Sequence, residues 1–508
     1  MNYLIGVDLG TQGTKTALLD ETCAVIKEAF EPSRLIYQNG GVEQDPEEML
    51  GSILRTIRQV VEESGIDPKH VAGIGLSGQM AGIVGVDKDG TATTPYDSWL
   101  DTRCGEYRAP FLTYGEEQVI ALTGTPVTYA HGPKILWWKN EYPDIYKKTH
   151  RFVLPAVYCT MRMCGLRAAD AYVDYTYIHF SGFADTEHKR WSGDLLNALD
   201  VEAGKLPRII KPYDQVGTLT AEMAAECGLS AGIPMVAGCG DTAASSFGAG
   251  IVRSGLVFDI AGTASVLAFA TTDFTPDTKH KTLLFAPSVV DGLYTPMAYI
   301  NGGGMCLKWL RDDVLNKAFS YDVLNEMAAQ TPPGSENLLF MPHFSGRVCP
   351  NDTRVRGSYI NLNWSHKTAH MYRAILEGIA YEYGVYADTI RALSPALTLE
   401  RVISVGGGSG SRIFGQIKAD VLGTPVSTIQ RADTATLGIS MIAGYGVGLY
   451  DSLTKQVEQA AAIRDTIEPD QSLYAFYQER KKVYADLFTA LHGVYEKLSN
   501  LQKEGTCE

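Results

Sequence analysis

Two stretches decide the fold: Val7-Asp8-Leu9-Gly10-Thr11 near the start of the chain and Phe258-Asp259-Ile260-Ala261-Gly262-Thr263 near its midpoint. Each is an apolar run that carries one carboxylate, breaks into a Gly-Thr turn and continues into a second apolar run, which reads as strand, turn, strand. The two turns stand about half a chain apart in 508 residues, the spacing of two related domains facing each other across a cleft. The junction is expected shortly after Gly248, in the glycine-punctuated FGAGIVRSG, which divides the chain into domains 1–248 and 249–508.

Working outward, strands are predicted over 3–7, 15–19 and 24–28, then a helix over 45–65. Asp45 is its cap, Pro46 suits its first turn, and Glu48 completes a capping box. A strand comes next over 71–76. In the second half, paired strands are predicted over 256–260 and 265–270, a long helix over 366–390, a strand over 401–405, the glycine-rich 406–411 and a helix over 412–422. The 473–501 stretch is a helix expected to pack on the body. The class is α/β, with helices covering sheets. Strand, glycine-rich loop and helix is a nucleotide-binding layout, although neither GxxxxGK[ST] nor GxGxxG is present.

Composition narrows the function. Hydrophobic residues make up 45% and charged residues 20%, as in soluble globular proteins. The net charge of −14 argues against nucleic acid or an anionic membrane as partner, so any phosphate ligand must be met by local donors or a cation. The nine cysteines contain no CxxC, and no stretch has the length and apolarity of a leader or membrane span. A cytoplasmic protein with reduced thiols is expected.

Several residues invite chemistry. Asp8 ends an apolar strand beside a turn rich in donors, and either meets a metal ion or caps its own turn. Asp241, in MVAGCGDTAASSFGAG, either takes a proton from an attacking hydroxyl or caps the helix after it. Gln79 and Met80, with Trp99, Asp101 and Arg103 about 20 residues on, offer the amide, ring and charges of a polyol site. The competing reading is a buried Trp99 beside a structural Asp101–Arg103 pair. Lys134 either serves that site or covers an apolar surface. The histidines show no metal-binding spacing.

Together GVDLGTQGTK, GLSGQM, SWLDTR, PKILWW, AGCGDTAASSFGAG, IAGTASVL, GGGMCLKWLRD, RAILEGIA and GGGSGSRIFGQIKADVLGTPV resemble the FGGY family of carbohydrate kinases, in its xylulokinase-like branch. The resemblance implies two actin-like (ribonuclease H-like) ATPase domains that close an interdomain cleft on ATP, Mg2+ and a sugar or polyol. It implies that Asp8 positions hydrated Mg2+, that Thr11 and Gln12 form the first phosphate turn, and that Gly262 and Thr263 form the second. Gly304, Lys308, Gly407, Gly408 and Arg412 match nucleotide positions. Asp241 matches the general base, and Gln79, Met80, Trp99, Asp101, Arg103 and Thr242 match the sugar side. The family suggests a homodimer.

The chain departs from the branch where SGQMHG becomes Ser77-Gly78-Gln79-Met80-Ala81-Gly82, which removes a sugar-contacting histidine. Thr242 replaces a frequent Asn after the base, and Arg412 a smaller polar residue. The leading expectation is transfer of the γ-phosphate to a primary hydroxyl of a ketose, D-xylulose giving D-xylulose 5-phosphate. The alternatives are another ketose or polyol, such as ribulose, a hexulose or glycerol, and, in a different class, an actin-fold ATPase serving as a binding or assembly module. A repressor is disfavoured, because a helix-turn-helix has no room before Tyr3.

Overall fold

The computed structural model describes residues 1–431 and 433–504, with side chains through 501. Strands β1 (Tyr3–Leu9), β2 (Gly13–Asp20) and β3 (Val25–Pro32) form an antiparallel meander. Helix α1 (Pro46–Ser64) starts at Asp45, whose carboxylate accepts from the Glu47 N–H. Glu48 does not close the expected capping box. It pairs with Arg55 at 2.7 Å, and Arg55 also grips Glu31 of β3 at 2.6 Å; a charge-assisted bond outcompetes a neutral N–H.

Strand β4 (Val71–Gly78) runs parallel to β1. With β5 (Gln215–Thr218), β6 (Pro234–Val236) and β7 (Cys239–Gly240) it completes a sheet of order β5-β6-β4-β1-β2-β3, β7 pairing with the end of β4. Between these strands lies helix α2 (His131–Glu141), and directly after β7 comes α3 (Asp241–Gly248). The second sheet starts at β8 (Leu256–Ala261) and adds β9 (Ser265–Phe269), β10 (Leu284–Pro287), β11 (Tyr294–Ile300), β12 (Arg401–Val405), β13 (Val426–Ile429) and β14 (Ile463–Ile467). Its order is β10-β11-β9-β8-β12-β13-β14.

The repeated sequence device is a repeated topology. β1 lies between antiparallel β2 and parallel β4, and β8 lies between antiparallel β9 and parallel β12. Helices α4 (Gly303–Trp309), α5 (Thr368–Leu393) and α6 (Arg412–Leu422) belong to the second half. Helix α7 (Ala435–Gly446) and the long α8 (Gln471–Glu504) come after them. α8 packs on α5 and α6, as expected: Tyr477 and Tyr484 are buried, and their hydroxyls donate to Glu377 and Glu382. Among the described residues no helix is long and apolar enough to cross a membrane.

Alternation along β1 sets the two faces of the first sheet. Ile5, Val7 and Leu9 face α1, sharing a core with Met49, Ile53 and Ile57. Leu4 faces the other way, into a core with Phe247 of α3 and Leu437, Ile439 and Ile442 of α7. Gly6 and Asp8 share that second face. α7 thus comes from the second half of the chain yet lies on the first sheet. It sits close because glycine meets it there: a Cβ on Gly6 would lie 2.5 Å from the Thr436 carbonyl oxygen. Where α3 and α7 cross, a Cβ on Gly438 would lie 2.1 Å from the Ala244 carbonyl oxygen and one on Gly248 2.0 Å from that of Thr434.

This contact predicts an inverted substitution effect. Glycine to alanine inside a helix ordinarily gains up to about 1 kcal/mol, but Gly438→Ala must push α3 from α7 and costs about 1–3 kcal/mol as overpacking. Thermal unfolding of the variant reads this as a lowered midpoint; an unchanged or raised midpoint refutes the close packing.

Candidate active site

Asp8 ends β1 on the face turned toward α3 and α7. Its Oδ1 accepts from Ser77 Oγ of the neighbouring β4 at 2.8 Å. The β1–β2 turn closes through Gly10 N–H to the Gly13 carbonyl at 3.0 Å, and is anchored further by Ser33 N–H donating to the Gln12 carbonyl at 3.0 Å. Asp8 is only partly shielded from solvent. Surrounding protein still pushes its pKa up to about 7, first by desolvation and then through the charges of Asp241 and Asp433, against the Ser77 hydrogen bond and Lys15.

Asp241 is the first residue of α3, so it does not cap the helix; Gly240 stands at the cap. Its Oδ1 accepts from the Thr242 N–H at 2.5 Å and from Thr242 Oγ1 at 3.1 Å. Desolvation raises its pKa to about 6, and the Thr242 bonds restrain the rise. A carboxylate poised just below neutrality, with its second oxygen unspent among the described residues, suits proton abstraction.

The residues that the resemblance matched to the sugar side divide. Met80 is buried with its thioether against Gly240, where an added Cβ would lie 2.7 Å from Met80 Cε, so it touches the residue before Asp241. Trp99 is 42% exposed rather than buried. Its indole N–H donates to Thr11 Oγ1 at 2.8 Å, and Thr11 Oγ1 donates to Gln79 Oε1 at 3.2 Å. Gln79 Nε2 donates to Gln44 Oε1 at 2.9 Å and to the Gly10 carbonyl at 3.3 Å. Gln79 therefore braces the β1–β2 turn with both ends of its amide.

Asp101 and Arg103 form a closed network. The Asp101 carboxylate accepts from the Val42 and Arg103 N–H groups and from the Arg103 guanidinium. Arg103 also meets Glu43 and Asp97 and lies 4.6 Å from the centroid of the Trp137 ring. Lys134, on α2, is buried and donates to the Ser98 and Asp101 carbonyls at 3.0 and 2.9 Å. It pins the Trp99–Arg103 loop instead of covering an apolar surface.

Across the cleft, the second turn is tied to α4. Gly304 N–H donates to the Gly262 carbonyl and Met305 N–H to that of Thr263, each at 3.1 Å. Only glycine fits at 304, since a Cβ would lie 2.3 Å from the Gly262 oxygen. A Cβ on Gly408 would lie 3.0 Å from that of Ala261, so the loop with Gly407 and Gly408 borders the same turn. Lys308 is exposed farther along α4. Arg412, exposed at the start of α6, has Asp465 of β14 as its partner at 3.5 Å.

Asp433 was invisible in the sequence. It precedes α7, pairs with Lys15 of β2 at 2.8 Å and accepts from Thr436 Oγ1 at 2.7 Å. The DTAT pattern before an apolar run signals a helix start, but only the return of α7 to the first sheet brings the carboxylate to Asp8.

The raised carboxyls fix a pH dependence. An acid protonated more readily in the fold than in the unfolded chain stabilises below its unfolded value of 3.8, and that stability is lost as pH rises through the folded values of about 6 and 7. In divalent-free buffer, Asp8→Asn escapes part of this loss. The thermal midpoint of the variant should gain on wild type between about pH 4 and pH 7 and level off above that; a gap that closes over that range refutes the assignment.

Comparison with known proteins places this geometry. The N-terminal domain model of the FGGY family of carbohydrate kinases matches residues 3–248, and its C-terminal domain model matches 259–447. A xylulose kinase of Bacillus subtilis is 30% identical over 501 residues, covering 97% of this chain and 99% of that protein. A gluconokinase of the same organism is 25% identical, covering 99% and 98%. The crystal structure of a ligand-bound xylulose kinase from Lactobacillus acidophilus superposes with a TM-score of 0.89 at 23% identity, covering 98% of this chain and all of that one. Two topologically repeated domains, each with a Gly-Thr turn at the end of its central strand, are thus the two halves of a sugar phosphotransferase, and the chain belongs to the FGGY family of carbohydrate kinases.

Proposed function

We propose that this chain transfers the γ-phosphate of Mg-ATP to a primary hydroxyl of a ketose, with D-xylulose to D-xylulose 5-phosphate as the leading reaction. The observation that carries the reading is the pair of partly open carboxyls, Asp8 and Asp241, both raised toward neutrality. Asp241 takes the proton from the sugar hydroxyl as that oxygen attacks the γ-phosphorus, while the ADP oxygen leaves. The Gly10 and Gly262 N–H groups close their own turns, so the backbone donors that would border the phosphates are those of Thr11 and Thr263. Transfer of this kind is largely positioning and charge stabilisation, so a P-loop lysine is not required.

The donor set fits a hydrated divalent cation. Asp8 has one oxygen bonded to Ser77 and one without a partner among the described residues, and no cation neutralises it directly. Bound there, Mg2+ would offset charge on the phosphates and the carboxyls alike. A neutral acceptor is favoured over an aldonate such as gluconate. Arg103 is taken by Asp101, Glu43 and Asp97, and Lys134 by two carbonyls, so neither sugar-side cation is free for an acid. The reading includes a cytoplasmic setting, with which eight unpaired cysteines agree, Cys507 lying outside the described residues. It also includes the homodimer that the family suggests.

The test is ADP release with Mg-ATP against D-xylulose, L-xylulose, D-ribulose, L-ribulose, D-fructose, glycerol and D-gluconate, beside Asp241→Asn. One ketose should stand out, and the variant should lose about 10²–10⁴-fold in kcat while still binding ATP. Activity retained in the variant removes Asp241 as base. Gluconate as the best acceptor overturns the ketose, and sugar-independent turnover alone favours the ATPase module.

A further inference from the structure

Asp241 opens α3, and the peptide that leads into it is held by a segment far away in sequence. The Gly240 N–H donates to Thr176 Oγ1 at 3.0 Å. An N–H can only donate, so Thr176 Oγ1 accepts there and its single proton points elsewhere. That proton goes to Asp174 Oδ1 at 2.6 Å, an oxygen that also accepts from the Thr176 N–H at 2.9 Å. Asp174 and Thr176 are fully buried. The other carboxyl oxygen of Asp174 is buried too and has no partner among the described residues. Burying a carboxyl with one oxygen unmatched costs stability; what it supplies here is a hydroxyl fixed in direction. The next residue extends the pattern. The Tyr177 hydroxyl lies 2.9 Å from the Cys239 carbonyl oxygen and 3.2 Å from that of Gly78, between the ends of β7 and β4. Gly78 precedes Gln79, and Cys239 precedes Gly240. One buried segment, Asp174–Tyr177, thus grips both strand ends that run into the site.

We propose that Thr176, oriented by the buried carboxyl of Asp174, is a positioning residue for Asp241. The Cys239–Gly240 peptide cannot rotate without breaking the Thr176 bond, and Met80 fills the space where a side chain on Gly240 would stand. The carboxylate one residue on is therefore held at one place relative to the two Gly-Thr turns. Thr176 reaches no reacting atom itself; it acts through the backbone of Gly240. The claim rests on the reading of Asp241 as base, and it adds the residue that keeps the base within reach of the attacking hydroxyl.

The experiment has two readouts on the full chain. The first is kinetic, with Mg-ATP and the best acceptor of the sugar panel. Thr176→Val keeps the shape of the side chain and removes the acceptor, and should lower kcat about 10–100-fold, the scale of a misplaced catalytic group, with KM for ATP unchanged. Thr176→Ser restores both hydrogen bonds and should restore kcat. Thr176→Ala, run beside them, carries the comparison if the valine variant does not fold. In the Asp241→Asn background, Thr176→Val should change kcat by less than about twofold, because the group it positions is gone. A wild-type kcat in Thr176→Val, a serine variant as slow as the valine one, or a full further loss in the double variant overturns the proposal. The second readout is hydrogen exchange of the Gly240 amide without ligands. It should quicken about fivefold in Thr176→Val, as loss of one ordinary hydrogen bond commands, and stay near wild type in Thr176→Ser. Unchanged exchange in the valine variant overturns the hold on α3. Because exchange needs no substrate, failure of every acceptor counts against the kinase reading, while the hold of Thr176 on the start of α3 is still decided.

Discussion

The uncompensated carboxylate of Asp8 is the constraint on which the rest depends, and its counterpart in the second half shows what compensation looks like. Asp8 sits opposite Ser77 on the parallel neighbour strand; Asp259 sits opposite Ser404 on its own. Each carboxylate accepts from that serine. Asp259 is then closed by the ammonium of Lys418 and by the Tyr383 hydroxyl at 2.8 Å, a fully buried and satisfied cluster. Asp8 has two further carboxylates as neighbours, Asp241 and Asp433, and only the weaker pull of Lys15. One topological position is a structural ion pair in one half and, in the other, a carboxyl bonded to a serine without a direct cation partner among the described residues. The difference traces to the route of the chain beyond the parallel strand. After β12 comes the glycine-rich loop and α6, which delivers Lys418. After β4 the chain runs instead into the Gln79–Arg103 segment, which delivers Gln79, Trp99, Asp101 and Arg103 and, among the described residues, no cation to Asp8.

The two halves are joined by more than a linker. The segment from β13 to α7 leaves the second sheet and lands on the first, held by Lys15–Asp433 at 2.8 Å and Arg431–Glu28 at 3.6 Å. α7 then packs on α3 through Gly438 and Gly248, and α3 begins with Asp241. The position of Asp241 is thus set by a helix that the second half supplies. Domain motion in such kinases excludes water from the reaction, and here the connection that would carry the motion also carries a carboxylate facing Asp8.

The local parts of this arrangement were legible in the sequence. Period-2 apolar runs and Gly-Thr turns marked the central strands of both sheets, and 401–405 and 412–422 fall where the pattern puts them, while the outer strands of the second sheet went unread. The parts that escaped were non-local. Asp101 and Arg103 are two residues apart and were readable as a pair, but their other partners, Glu43 and Asp97, come from strands that only the folded chain brings together. Trp99 reads as a buried ring by residue type, whereas its hydrogen bond to Thr11 holds it at the surface. Lys418 looks like any mid-helix lysine, and Asp433 like a helix-start residue, until the topology shows what each faces.

The same charge inventory explains how an acidic chain can accept a polyanion. Around the site the cations are engaged: Lys15 by Asp433, Arg103 by three carboxylates, Lys134 by two carbonyls and Lys418 by Asp259. Lys308 is the exposed exception. Long-range attraction is weak in a chain of net charge −14, and the low-dielectric surroundings of Asp8 and Asp241 sharpen their repulsion of phosphate. On the proposed reading, free ATP would therefore be a poor match to the cleft, and a metal complex of ATP a good one. On the same reading, backbone N–H groups at the turns would meet the phosphates at short range without drawing bulk anions from a distance. The raised pKa of Asp8, about 7, reflects burial and two neighbouring carboxylates without a direct positive partner, and on the proposed reading the cation that accompanies ATP would supply that charge.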